Sequence, residues 1–260
     1  MRRNLGWALA AVVTAGLGGL GIASAADMAV KARPMAAPVP IVYSWTGCYI
    51  GGEGGGNWGR SRTRLATTGE PFQNAFDISG GIAGVEWGCN YQMGQFVIGY
   101  EGDWSWTNKK GTVFDGLTAG NPLIPITVEE RWISTQRGRL GWAFDRVLLF
   151  VSGGFAFADA RWSGALLPSA GFNPGLIATD TFRSTGWVVG VGLEYAMTDN
   201  WTIKGEYLYT DLGSRTICAA TCPTPPFGSF AARNVSLTDN IVRVGVNYKW
   251  NWAAPVVARY

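Results

Sequence analysis

The chain has 260 residues, with 13 Trp, 9 Tyr, 37 Gly and no His, and charged residues make up 15% of it, well under the roughly 25% of ordinary soluble domains. A net charge of +3 is too small to argue for a nucleic-acid partner. Beyond the first two dozen residues no apolar run approaches the about 20 residues of a spanning helix, so this aromatic-rich, glycine-rich, weakly charged chain points to β structure in or near a membrane.

The chain begins with Arg2 and Arg3, then an apolar stretch from Leu5 to Ile22, then the small residues "ASA" at 23–25. That order is the pattern of a secretory signal cut before Ala26. A retained helical anchor is the alternative, and Gly6, Gly16, Gly18, Gly19 and Gly21 weigh against it. Residues 26–44, rich in Ala and Pro, read as a periplasmic linker. From Trp45 onward, strand-like alternation predicts eight segments: 45–59, 78–91, 96–107, 129–143, 147–160, 183–197, 201–211 and 237–250. The folded domain is thus 45–250, followed by a tail, 251–260.

The connections alternate in length. "QMGQ", "FDR" and "TDN" are tight, whereas 60–77, 108–128, 161–182 and 212–236 are long. Short turns at one end and long loops at the other is the pattern of outer-membrane barrels. One face of the segments carries Trp58, Trp87, Trp104, Leu140, Phe155, Trp187, Val191, Tyr207 and Val244; the other carries Gly residues with Glu53, Glu86, Glu101, Asp103, Arg137, Arg139, Glu194, Lys204, Glu206 and Arg243. Volume decides between the faces. The interior of an eight-stranded barrel is just wide enough for side chains to fill it, and so many Trp and Tyr side chains do not fit there. The apolar face therefore meets lipid, and the charges fill the lumen. Neighbouring strands can neutralise them: Glu101 and Asp103 against Arg137 and Arg139, Glu194 against Lys204, and Glu206 against Arg243. A soluble sheet with one solvated face is the competing reading, but it leaves the apolar face without enough chain to bury it. The expected fold class is all-β: an eight-stranded antiparallel up-and-down transmembrane β-barrel.

Export permits disulfides. "CAATC" sets Cys218 close to Cys222 in a Pro-rich loop, and these two are expected to pair. With no His and dispersed cysteines, the usual zinc patterns are absent.

The segments "WTGCYIGGEGGGNWG", "GGIAGVEWGCNYQMGQFVIGYEGDWSW", "RGRLGWAFDRVLLFVSGGFAFA", "GWVVGVGLEYAMTDNWTIKGEYLYTDLG" and "NIVRVGVNYKW" together resemble the small outer-membrane β-barrels of alphaproteobacteria, the surface-antigen and porin-family proteins related to the OmpA membrane domain. The resemblance covers nearly all of 45–250. It implies an outer-membrane location and a role in envelope integrity or surface interaction, with small porins and haem-binding receptors among the relatives. The chain departs from that family at Cys48 and Cys89, where aromatic residues are usual. Positions 48 and 89 share one hairpin register with 59 and 78, so two readings stand: a cross-strand disulfide at the periplasmic rim, or two lipid-facing thiols. Trp250 and Tyr260 are both candidates for the terminal aromatic that the barrel assembly machinery reads.

Chemistry has little to stand on. The absence of His removes the usual base for a Ser nucleophile, and no Lys-Ser/Thr follows "GGEGGG" as a phosphate loop requires. No enzyme and no cofactor are expected. A porin is the stronger rival, although real aqueous channels use about sixteen strands. Haem finds no His, leaving Tyr, Met or Cys to ligate iron. Arg60, Arg62 and Arg64, just past Trp58, are candidate contacts for lipopolysaccharide phosphates, or an ordinary solubilising run. The expected partners are therefore outer-membrane lipid, lipopolysaccharide, the assembly machinery and a loop-binding ligand; the chain is expected to act as a monomer.

Overall fold

Period-two alternation builds strands β1 (Gly47–Leu65), β2 (Phe76–Met93), β3 (Phe96–Thr107), β4 (Lys110–Asp115), β5 (Ile124–Phe144), β6 (Val147–Ala165), β7 (Ile177–Ala196), β8 (Trp201–Ile217) and β9 (Arg233–Trp250) in the computed structural model, which describes residues 43–71, 75–115, 124–165, 177–217 and 232–250. The signal-like segment 1–25, Cys218, Cys222 and the tail 251–260 lie outside the described residues. Every pairing is antiparallel, and β1 pairs with both β2 and β9, so the sheet closes on itself. β3 and β4 both lie between β2 and β5 and share one place in the ring. The architecture is an eight-stranded antiparallel barrel.

The tight connections are where the sequence puts them. Gly94 (φ 63°) and Asp145 (φ 51°) supply the left-handed backbone that two-residue hairpins need between right-twisted strands. The register sets Cys48 opposite Cys89, and the two form a disulfide across β1 and β2.

The strands run much farther than alternation from Trp45 predicts. β1 continues to Leu65, β7 starts at Ile177 and β8 reaches Ile217. The stretch 108–128, read as a loop, contains β4 and the start of β5. Its pattern is masked by a break at Asn108-Lys109 and by a bulge between Glu130 and Trp132, each of which shifts the alternation. β5 has 21 residues, which at about 3.4 Å per residue and a 35–45° tilt span about 55 Å, roughly twice the about 25 Å apolar band of an outer-membrane barrel. The barrel therefore has a membrane section and a section that stands above it.

The outward face changes character where the strands leave the membrane. On β9 it reads Trp250, Tyr248, Val246, Val244 and Val242, then Asn240, Thr238, Ser236 and Asn234. On β7 it reads Tyr195, Leu193, Val191, Val189 and Trp187, then Thr185, Arg183 and Thr181; on β1 it passes from Trp58 to Arg60, Arg62 and Arg64. The apolar runs Val242–Trp250 and Trp187–Tyr195 match the about 9–11 residues of a tilted membrane strand. The lumen changes in the opposite sense. It is charged within the membrane, and above that it holds apolar residues that include Ile78, Ile126, Val128, Trp162 and Leu237. A lumen of small residues and paired charges throughout, as the sequence suggests, is thus confined to the membrane section.

At the short-turn end, Tyr43 and Trp45 pack into a second cluster with Val97, Leu148 and Phe150. Trp45 Nε1 donates to Asp145 O (3.0 Å), and Tyr43 N donates to Asp145 Oδ1 (3.2 Å). The Lys249 ammonium donates to Ser44 O and lies 4.0 Å from the Tyr43 ring centroid. Burial pushes the Tyr43 phenol well above its ordinary range, so it stays neutral. The last two residues of the stretch read as a linker are therefore part of the barrel's floor.

Candidate functional site

Alternation places Glu53 on β1, Glu86 on β2, Glu101 and Asp103 on β3, Arg137 and Arg139 on β5, Glu194 on β7, Lys204 and Glu206 on β8, and Arg243 on β9, all facing inward and buried. Glycine makes the room. A Cβ at Gly88 would stand 2.5 Å from the Tyr49 hydroxyl, and one at Gly245 would stand 2.5 Å from Glu86 Oε1, so these bare positions let the opposing long side chains lie flat across the lumen.

The network has two levels. In the first, Arg137 binds Glu101 (2.5 Å), Asp103 (3.2 Å) and Glu206 (2.8 Å). Arg243 binds Glu206 (2.6 Å), Asp103 (2.9 Å) and Glu53. The Ser105 hydroxyl donates to Glu53 Oε1 (2.8 Å), and Thr135 donates to Asp103. In the second, Arg139 binds Glu194 (2.5 Å) and Glu101 (3.2 Å), and its guanidinium lies 3.9 Å over the Phe150 ring. The Tyr49 hydroxyl donates to Glu101 Oε2 (2.5 Å) and accepts from Arg139 Nη1 (2.9 Å). Lys204 links the levels, reaching Glu86, Glu101 (3.0 Å) and Glu206 (3.2 Å).

Pairing by neighbouring strands describes only part of this. Arg137 with Glu101 and Arg243 with Glu206 are partners directly across a strand pair. Glu194 stands opposite Lys204 in the β7–β8 register, yet its carboxylate takes Arg139 and the Thr202 hydroxyl (2.6 Å) instead. Lys204 crosses the lumen to β2 and β3. The interior is narrow enough that opposite walls lie within a side chain's reach, so the contacts span the ring as well as run around it.

The sequence reading missed a third group. Lys109 Nζ lies 2.8 Å from Glu130 and 2.5 Å from Asp239, and Asn57 Nδ2 donates to Glu130 Oε1 (3.3 Å). It sits within the upper apolar part of the lumen. The β3–β4 break turns Lys109 inward and the β5 bulge presents Glu130; neither irregularity follows period two. Asp239, four residues before Arg243 and of the same parity, was the available signal.

Chemically, the arrangement is a clamp. Oxygens of Glu53, Glu86 and Glu206 converge within 4.8 Å, as around a cation, but Lys204 and Arg243 already fill that role. Each Arg binds carboxylates from several strands, tying the barrel walls together. Buried charges are tolerated only when paired and hydrogen-bonded in this way.

Arg60, Arg62 and Arg64 are on β1 rather than in a loop, all outward and exposed. Arg60 pairs with Asp77 (2.9 Å), and Arg64 donates to Gly69 O (3.3 Å).

A family model described as the outer membrane protein beta-barrel domain matches residues 15–249. The 31 kDa outer-membrane immunogenic protein of Brucella melitensis is 33% identical over 238 residues, covering 88% of this chain and 93% of the relative. The 25 kDa outer-membrane immunogenic protein of Brucella abortus is 30% identical over 232 residues, covering 88% and 91%. Among solved structures, the outer membrane protein OprG from Pseudomonas aeruginosa aligns with a TM-score of 0.48 at 11% identity, covering 80% of this chain and 98% of that one. This chain is a bacterial outer-membrane protein and belongs to the outer membrane β-barrel domain family.

Proposed function

We propose that this protein is a non-enzymatic, structural barrel of the outer membrane: its lumen is sealed, and its contacts with other molecules are made by its outer surface and extracellular section. The observation that carries this reading is the burial of the network. Arg137, Arg139, Lys204 and Arg243 are each no more than 2% exposed, although they sit in the middle of the lumen. Solvent does not reach them from either end, and the Tyr43–Trp45 floor and the upper apolar cluster lie beyond them on the two sides. A conducting pore needs a continuous wet path. The carboxylates are held by guanidinium and ammonium partners in a closed interior, out of reach of a substrate.

Surface contact falls to the polar extracellular section. Arg60, Arg62 and Arg64 project outward just past Trp58, and we assign them to lipopolysaccharide contact. The names of the Brucella relatives, as immunogenic proteins, accord with a section displayed at the cell surface. Planar-bilayer recording tests the sealed lumen: the reconstituted monomer gives no steady conductance, and a stable open level would contradict the reading.

A further inference from the structure

At the upper edge of the apolar band, on the far side of the ring from β1, a cavity of about 360 Å³ opens on the outer surface. Its floor is aromatic. Trp104 and Trp132 stack with ring centroids 4.5 Å apart, and Phe157 lies beside them. Its opposite rim carries Arg183, Thr185 and Arg215. Arg215 Nη2 donates to Thr185 Oγ1 (2.7 Å), and among the described residues this engages one of an arginine's five N–H donors. The nearby carboxylate of Asp159 is already engaged by Arg131 through Nε (2.9 Å) and Nη2, whereas Arg183 stands 3.9 Å from it with its side chain 84% exposed. The rim therefore keeps positive charge.

We propose that this groove seats one phosphorylated glycolipid of the outer leaflet, with an acyl chain along the Trp104–Trp132 stack and a phosphate held by Arg183 and Arg215. Position and charge select that occupant. The floor is continuous with the lipid-facing surface, so its ligand comes from the membrane. The rim lies just above it, at the height of headgroups, where indole rings favour the interface and arginine grips phosphate through paired N–H donors. The proposal rests on the assignment of the outer surface to lipopolysaccharide contact and adds a defined site distinct from Arg60, Arg62 and Arg64.

The test is native mass spectrometry of the full-length folded protein in detergent, titrated with purified lipid A and, separately, with its dephosphorylated form. Lipid A is expected to be retained in a one-to-one complex at least tenfold more strongly than the dephosphorylated form. R183Q/R215Q reduces that retention at least tenfold, and W132A weakens both lipids. All these positions face outward, and unchanged heat-modifiable migration on gels shows that each variant is folded. Equal retention by R183Q/R215Q, or by the dephosphorylated lipid, overturns the site. A variant with Arg60, Arg62 and Arg64 all changed to Gln separates the two readings. If it alone loses lipid A, the general surface assignment stands and the groove falls; if neither variant loses it, both fall.

Discussion

The two sections of this barrel are packed in opposite senses by the same strands. Within the membrane Val244 faces out and Arg243 faces in; above it, on the same strand, Ser236 faces out and Leu237 faces in. The upper section is built like a soluble barrel, apolar at the centre and polar at the surface, and the lower section is its inverse. Strand geometry fixes only which residues share a face. The surrounding medium decides which face is greasy, and the change of medium falls near Trp58, Trp187 and Asn240.

The two sections should respond differently to truncation. Arg137→Ala strips a partner from Glu101, Asp103 and Glu206 at once, so it is expected to cost about 3–5 kcal/mol, because uncompensated charges stay buried. Urea titration of the protein refolded in lipid vesicles measures this, and a loss below about 1 kcal/mol would mean that water enters the lumen. In the upper section, Leu237→Ala removes apolar volume without orphaning a charge, and about 2–4 kcal/mol is expected in the same titration. The comparison sharpens if Lys109→Met behaves like the charged section despite its position among apolar neighbours, since it leaves Glu130 and Asp239 unpaired. The smallest effect belongs to Arg60→Gln at the exposed pair with Asp77, with less than about 1 kcal/mol expected.

The membrane section was readable in the sequence because its alternation is regular. Trp187-Val-Val-Gly-Val-Gly-Leu-Glu-Tyr195 shows both faces directly, and the alternate arginines of "RGRLGW" mark the charged one. The equal spacing of 48 and 89 within their hairpin placed the disulfide as one of two readings. The upper section was hidden for physical reasons. Thr, Ser and Arg on its outside look like loop residues, and its inward Ile78, Val128 and Leu237 are sparse among them. The bulge and the β3–β4 break then hide Lys109 and Glu130. The cross-lumen partners were also beyond reach, because register gives the neighbours around the ring, whereas Lys204 and Arg139 make contacts across it.

A lysine scan along the outward face of β9 tests the inversion most directly. Ser236, Thr238, Asn240, Val242, Val244 and Val246 are replaced one at a time, and unfolding free energy is measured in vesicles. A step is expected: costs of about 0–1 kcal/mol through Asn240, rising to about 2–4 kcal/mol at Val244, near the middle of the apolar band. A uniform cost along the strand, or a larger one at Ser236 than at Val244, would contradict the division of the barrel into a membrane section and an extracellular one.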